Sequence, residues 1–273
     1  MTYRTILLEL VDDPHNDVRV ECARRLALRF DAELVGIHVS PPPFLPMGFG
    51  EGAAYVGPEV FEAQREANRL VRERVEAAFR RQCDATKMAV RDIYEEGDPG
   101  ELLAEAARGA DLTIAAQEGG TGLDALAPQP IHHVILSAGG PVLVLPRAGL
   151  GDPLGRRVAV AWNGSREAAR ATKDALPFLT SAEAVILLAA GEDAAAALDA
   201  GTGLLKRHGA AVSAKQIEPS RAHGAMLLDA AAAEGADLLV MGAYGHSRLR
   251  EIVLGGATRE VLRDARIPVL LSC

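Results

Sequence analysis

The chain has 273 residues, a formal net charge of −8 and 49% hydrophobic residues, against only 4% aromatic. At roughly 100–200 residues per domain the length suggests two domains. The acidic balance disfavours broad nucleic-acid binding, and no apolar run reaches the ~20 residues of a membrane span. Cys22, Cys83 and Cys273 are the only cysteines, far apart and without metal-ligand spacing, so they read as reduced thiols. The start, Met1-Thr2-Tyr3-Arg4, runs into an apolar strand pattern with no signal-peptide signature, and the reading is cytoplasmic.

In chain order, the apolar run Thr5-Ile6-Leu7-Leu8 predicts a first strand, Val18 to Arg29 a helix, and Glu33 to Val39 a second strand. A Pro-rich stretch, Pro41 to Gly50, reads as a solvated connection, a lid or a docking arm. A long helix follows from Pro58 to Cys83, with Val60, Ala63, Ala67, Leu70, Val71, Val75 and Ala78 on near-helical spacing. A third strand fits Ala89 to Tyr94. Asp98 before Pro99 is a helix-start signal, leading to a helix from Glu101 to Arg108. The strand of Leu112 to Ala116 and the Pro-led run Pro141 to Leu145 close the first half.

The pattern then repeats. Arg157 to Ala161 mirrors the first strand, and Arg166 to Leu179 the first helix. Ala184 to Ala189 and Val212 to Ile217 follow as strands, then a helix from Ala225 to Glu234. Gly235-Ala236-Asp237-Leu238 echoes Gly109-Ala110-Asp111-Leu112, and Pro268-Val269-Leu270-Leu271 echoes Pro141-Val142-Leu143-Val144. Strands alternating with helices imply α/β domains, each a doubly wound, Rossmann-like five-stranded parallel sheet with helices on both faces. The turn-rich Pro146 to Gly155 places a boundary near Gly151, giving domains 1–148 and 152–273. The expectation is two separate sheets of this kind, with the last strands, Val142 to Leu145 and Val269 to Leu271, meeting across the domains.

The stretch most suggestive of chemistry follows the strand ending at Met241. Gly242 and Gly245 permit tight backbone turns, and Gly255-Gly256 precede a helix start at Thr258. A glycine turn feeding a helix N-terminus is a ready anion site, and ligands of open α/β sheets sit beyond the C-terminal strand ends. The spacing Gly242-x2-Gly245-x9-Gly255 resembles the nucleotide loop of the universal stress protein family, and the whole chain resembles its tandem, two-domain form. Trp162-Asn163-Gly164-Ser165 is similar to that family's first strand end, with Asn163 where an Asp is usual.

The resemblance implies an adenine nucleotide alpha hydrolase-like fold. It also implies ATP, ADP or AMP in the second domain, with a divalent cation such as Mg, and little or no catalysis. The implied site comprises Trp162, Asn163, Ala189, Met241, Gly242, Gly245, Gly255, Gly256, Ala257 and Thr258. It further implies a homodimer and a stress-response role with unidentified protein partners. Gly256 departs from the family's Ser or Thr, and Thr258 is a candidate substitute. In the first half Ala116 replaces the first glycine, Gly119 fits the second, and the third falls near Pro128-Gln129. There Glu9 and Leu10 occupy the region matched to Trp162-Asn163, and a carboxylate repels phosphate. The first site therefore reads as degenerate. The alternative for the whole protein is a nucleotide-free scaffold of two pseudo-symmetric domains.

Other polar residues carry no catalytic pattern. Ser165 reads as a helix N-cap rather than a nucleophile. His132 and His133 fall in a helix start, and His223 and His246 in loops. None pairs with Cys or a carboxylate at zinc spacing. Glu95 and Glu96 read as exposed. No Gly-x4-Gly-Lys-Ser/Thr and no Gly-x-Gly-x2-Gly sequence occurs.

Overall fold

The computed structural model describes residues 2–43, 58–84, 88–117, 130–147, 154–244 and 256–273. In the first half β1 (Thr5–Glu9), α1 (Asn16–Phe30), β2 (Glu33–Ser40), α2 (Pro58–Cys83) and β3 (Val90–Glu96) come first. They are followed by α3 (Pro99–Ala107), β4 (Leu112–Ala116), α4 (Pro130–Ser137) and β5 (Val142–Leu145). The second half runs β6 (Arg157–Ala161), α5 (Arg166–Asp174), α6 (Leu176–Leu179), β7 (Ala184–Ala190) and α7 (Ala194–Arg207). It ends with β8 (Val212–Ile217), α8 (His223–Ala233), β9 (Leu238–Gly242), α9 (Gly256–Asp264) and β10 (Val269–Ser272).

All strands among the described residues belong to one ten-stranded sheet, in the order β3-β2-β1-β4-β5-β10-β9-β6-β7-β8. Pairing is parallel within each half. The halves join where β5 and β10 run antiparallel, with Leu143 opposite Leu270. The two expected sheets are therefore not separate. Both joining strands are buried throughout, and unpaired edges there would leave backbone amides and carbonyls unsatisfied. Reading outwards from that junction, each half repeats the other.

The chain order explains the two-sided core. Residues alternate across a strand, so Ile6, Leu8 and their equivalents pack with α1, α2, α5, α6 and α7 on one face. Leu7 and its equivalents pack with α3, α4, α8 and α9 on the other. Local sequence sets the details. Asp98 caps α3, accepting from the Glu101 amide at 2.9 Å, with Pro99 in the first turn. Ser165 caps α5, accepting from the Ala168 amide at 3.2 Å. The repeated Asp ties each fourth strand to the first strand of its half. Asp111 accepts from the Arg4 and Thr5 amides, and Asp237 from those of Gly155, Arg156 and Arg157.

Several expectations change in detail. The helix expected from Arg166 to Leu179 is two, α5 and α6, because Pro177 has no N–H to continue the ladder; Phe178 donates to Ala175 O instead. β9 extends one residue beyond Met241, and α9 begins at Gly256 rather than Thr258. His223 opens α8 instead of lying in a loop. On α2, Val75, Phe79 and Cys83 are buried, but Val60 and Leu70 of the expected apolar face are 52% and 43% exposed. Glu95 and Glu96 are exposed as expected. Residues 1, 44–57, 85–87, 118–129, 148–153 and 245–255 lie outside the described residues. With them go most of the Pro-rich stretch, Gly119, Pro128-Gln129, the boundary near Gly151, Gly245, His246 and Gly255.

Candidate functional site

In each half the strand order reverses at one point, between β1 and β4 and between β6 and β9. Such a reversal opens a crevice beyond the C-terminal strand ends, because the flanking connections leave to opposite faces. Glu9 and Ala116 end the two strands in the first half; Ala161 and Gly242 end them in the second.

In the second half, the chain leaving β6 is fixed backbone to backbone, Trp162 N–H donating to Leu188 O at 2.8 Å. The Trp162 indole then turns into the core, where it is only 8% exposed, and its Nε1–H donates to Ala197 O of α7 at 2.8 Å. Gly201 makes room for it: a Cβ there would lie 3.0 Å from Trp162 Nε1 and 2.7 Å from Leu187 Cδ2. Burying the indole with its N–H satisfied makes Trp162 a core residue. Asn163 stays exposed, and its Oδ1 accepts from the Ser165 amide at 3.1 Å, an Asx turn leading into α5. Gly164 has φ +72°, which explains the glycine there.

Gly242 is required by packing. A Cβ on it would stand 2.6 Å from both Ala168 N and Glu167 C. The first turn of α5 thus rests directly on the end of β9, and the Asn163 turn leads into that helix. Of the other predicted residues, Ala189, Met241 and Thr258 are buried, at 4%, 5% and 3% exposure. Ala189 packs on one sheet face and Met241 on the opposite one. Gly256 is exposed at the start of α9, where a Cβ would meet no atom within 4 Å, and Ala257 is half-buried. Among the described residues, then, Asn163, Gly242, Gly256 and Ala257 are the predicted positions a ligand can reach.

Spacing gave no signal for the next contact. Tyr244 has φ +59°, a left-handed backbone that a bulky residue rarely adopts. Its hydroxyl hydrogen-bonds His132 Nδ1 of α4 at 2.7 Å, and the two rings stand edge to face. Burial, and then the Arg259 cation, hold His132 below its ordinary pKa, which favours the neutral ring. The segment after β9 is thereby anchored to the first half of the chain. Gln117 makes a reciprocal tie, its side-chain amide donating to Leu262 O and Ala265 O at the end of α9.

The first half carries different chemistry. Leu10 N–H donates to Ile37 O at 2.8 Å, the same bond that Trp162 makes to Leu188. Leu10 therefore corresponds to Trp162 and Val11 to Asn163, one residue along from the match read in the sequence. Glu9 corresponds to Ala161. Its Oε2 accepts the Ala116 amide at 2.9 Å. Burial raises its pKa, opposed by that amide and by Arg19, with Asp13 adding a smaller upward push. The same strand ends line a cavity of about 190 Å3, bounded by Glu9, Leu10, Val11, Ile37, His38, Val39, Pro99 and Leu103.

Fold and crevices define a tandem, doubly wound α/β protein whose two halves share one sheet. The universal stress protein family model matches residues 2–146 and 177–272, and the chain belongs to that family. The second match begins after β6 and α5, so Trp162 to Ser165 lie outside it. A universal stress protein from Archaeoglobus fulgidus DSM 4304 is similar over 98% of this chain and 95% of its own, at 19% identity and TM-score 0.75. A functionally unknown protein, PA1789, from Pseudomonas aeruginosa PAO1 covers 99% and 92% at 15% identity and TM-score 0.63. Both likenesses concern the fold. The universal stress protein Slr1230 of Synechocystis is 62% identical over 34 residues, a stretch spanning 12% of each chain. No described helix is long and apolar enough to cross a membrane.

Proposed function

We propose that this protein is a stress-response regulator that binds an adenine nucleotide in its second half and turns it over little or not at all. The observation that carries the reading is the residue at the end of the half's first strand. Ala161 brings no carboxylate to the Gly242 amide, whereas Glu9 occupies the equivalent amide in the first half. The second-half strand end thus lacks the carboxylate that fills the first, and the acidic residue packed there, Glu167, is paired with Arg166. Exposed Gly256 at the start of α9 adds backbone amides and the positive end of a helix dipole. The Asn163 turn and the first turn of α5 form the opposite wall.

Because the Trp162 indole is buried and its N–H is taken, the base would rest on Asn163 and on backbone. A divalent cation such as Mg would share the phosphates' charge. We assign the domains to 1–148 and 152–273 and the working unit to a cytoplasmic homodimer. The nucleotide-free scaffold remains the second reading, and the burial of Thr258 favours it, since that hydroxyl does not replace the one missing at Gly256.

Calorimetry with ATP and Mg tests the proposal. Wild type should bind in the second half, and Gly255→Val should abolish binding. Gly256→Ser should tighten it by about 0.5–1.5 kcal/mol, the worth of one hydrogen bond; the open space at Gly256 accommodates the side chain. If wild type gives no heat at millimolar ATP and Gly256→Ser does not restore it, the scaffold reading stands.

A further inference from the structure

The cavity of the first half plays no part in the nucleotide reading. We propose that it is a separate site for a small organic cation, an amine or amidine with an apolar body, held through Glu9. The walls are apolar: Leu10, Val11, Ile37, Val39, Pro99 and Leu103. Glu9 and His38 are the only described lining residues with ionisable side chains. His38 Nδ1 donates to Leu10 O at 2.8 Å, and Nε2 hydrogen-bonds the Ser40 hydroxyl at 3.2 Å. Both ring nitrogens are therefore taken by protein partners.

The carboxylate is the recognition element. One oxygen is committed to the Ala116 amide, and the side chain is half-buried at the cavity wall. Arg19, whose charge acts on Glu9, is itself bound by both oxygens of Asp13, at 3.0 and 2.9 Å. A partly desolvated carboxylate with no ion pair among the described residues gains most from a ligand that brings a full positive charge. Size narrows the class. About 190 Å3 is below the ~300–1,000 Å3 of pockets that enclose drug-sized ligands, so a single ring or short branched chain fits and a nucleotide does not. The site does not rest on nucleotide binding in the second half.

Titration of the full chain with benzamidine, benzoate and ATP, followed by calorimetry, tests this. Benzamidine should bind and benzoate should not. Glu9→Gln should weaken benzamidine by at least about tenfold. Val11→Phe, which fills the cavity and leaves the carboxylate intact, should do the same. Saturating ATP should leave benzamidine affinity unchanged. The proposal falls if benzamidine gives no heat at about 10 mM, if Glu9→Gln binds it as wild type does, if benzoate binds equally well, or if ATP displaces it. Thermal unfolding confirms that each variant is folded; should Val11→Phe fail that check, Glu9→Gln decides alone. Absence of ATP binding with benzamidine binding intact would sink the nucleotide reading and leave this one standing.

Discussion

The two halves share strand order and even the bond that fixes the first crossover, yet their strand ends carry different side chains. Glu9 places a carboxylate on the amide that ends β4; Ala161 leaves the matching position without one. The connection to the first helix also differs, residues 10–15 in one half and the shorter 162–165 in the other. The shorter connection seats α5 on Gly242, where no Cβ fits, while the corresponding Ala116 carries one. A glycine at the end of a fourth strand can therefore answer to helix packing as much as to a ligand. The comparison teaches that a common frame transmits position, while one or two side chains at the strand ends decide the chemistry that position offers.

The comparison can be broken most forcefully at Trp162. Trp162→Ala should cost about 3–5 kcal/mol of stability, as expected for removing a large buried aromatic. Chemical denaturation would show it as a lowered midpoint. A loss below about 1 kcal/mol would mean that the indole lies outside the core and is available to a base.

Next comes Gly242. Gly242→Ala forces the first turn of α5 away and should cost about 1–3 kcal/mol, the range for overpacking a close contact. Gly256→Ala, with open space around it, should stay within about 0.5 kcal/mol of wild type. Equal losses at the two glycines would contradict the distinction between a packing glycine and an open one.

The smallest effect sharpens the comparison through pH. Burial raises the Glu9 pKa in the folded chain, so the folded state binds that proton more tightly than the unfolded one. Its contribution to stability is therefore lost as pH climbs from the ordinary carboxylate range through the raised value. Glu9→Gln removes this loss. Relative to wild type it should gain stability as pH rises above the ordinary carboxylate range, as followed by urea midpoints. Parallel pH profiles for the two proteins would show that Glu9 is solvated like any surface carboxylate.

What the sequence determined by itself was local and periodic. Alternating strand and helix patterns, the repeated Gly-Ala-Asp-Leu, the Asp98 and Ser165 caps and the reach of α2 follow from dihedral preference and short-range hydrogen bonds. Family membership was legible for the same reason, since glycine spacing is a local property. The tertiary structure decided matters that depend on distant partners. Only the bond to Ile37 shows that Leu10, rather than Glu9, corresponds to Trp162, because a one-residue slip is invisible until strands pair. Only α7 shows that the indole is buried. The meeting of Tyr244 with His132 joins residues that no window of sequence connects, and the β5–β10 pairing merges two expected sheets into one. In each case the deciding energy is desolvation and contact between segments far apart in the chain, which composition and spacing do not encode locally.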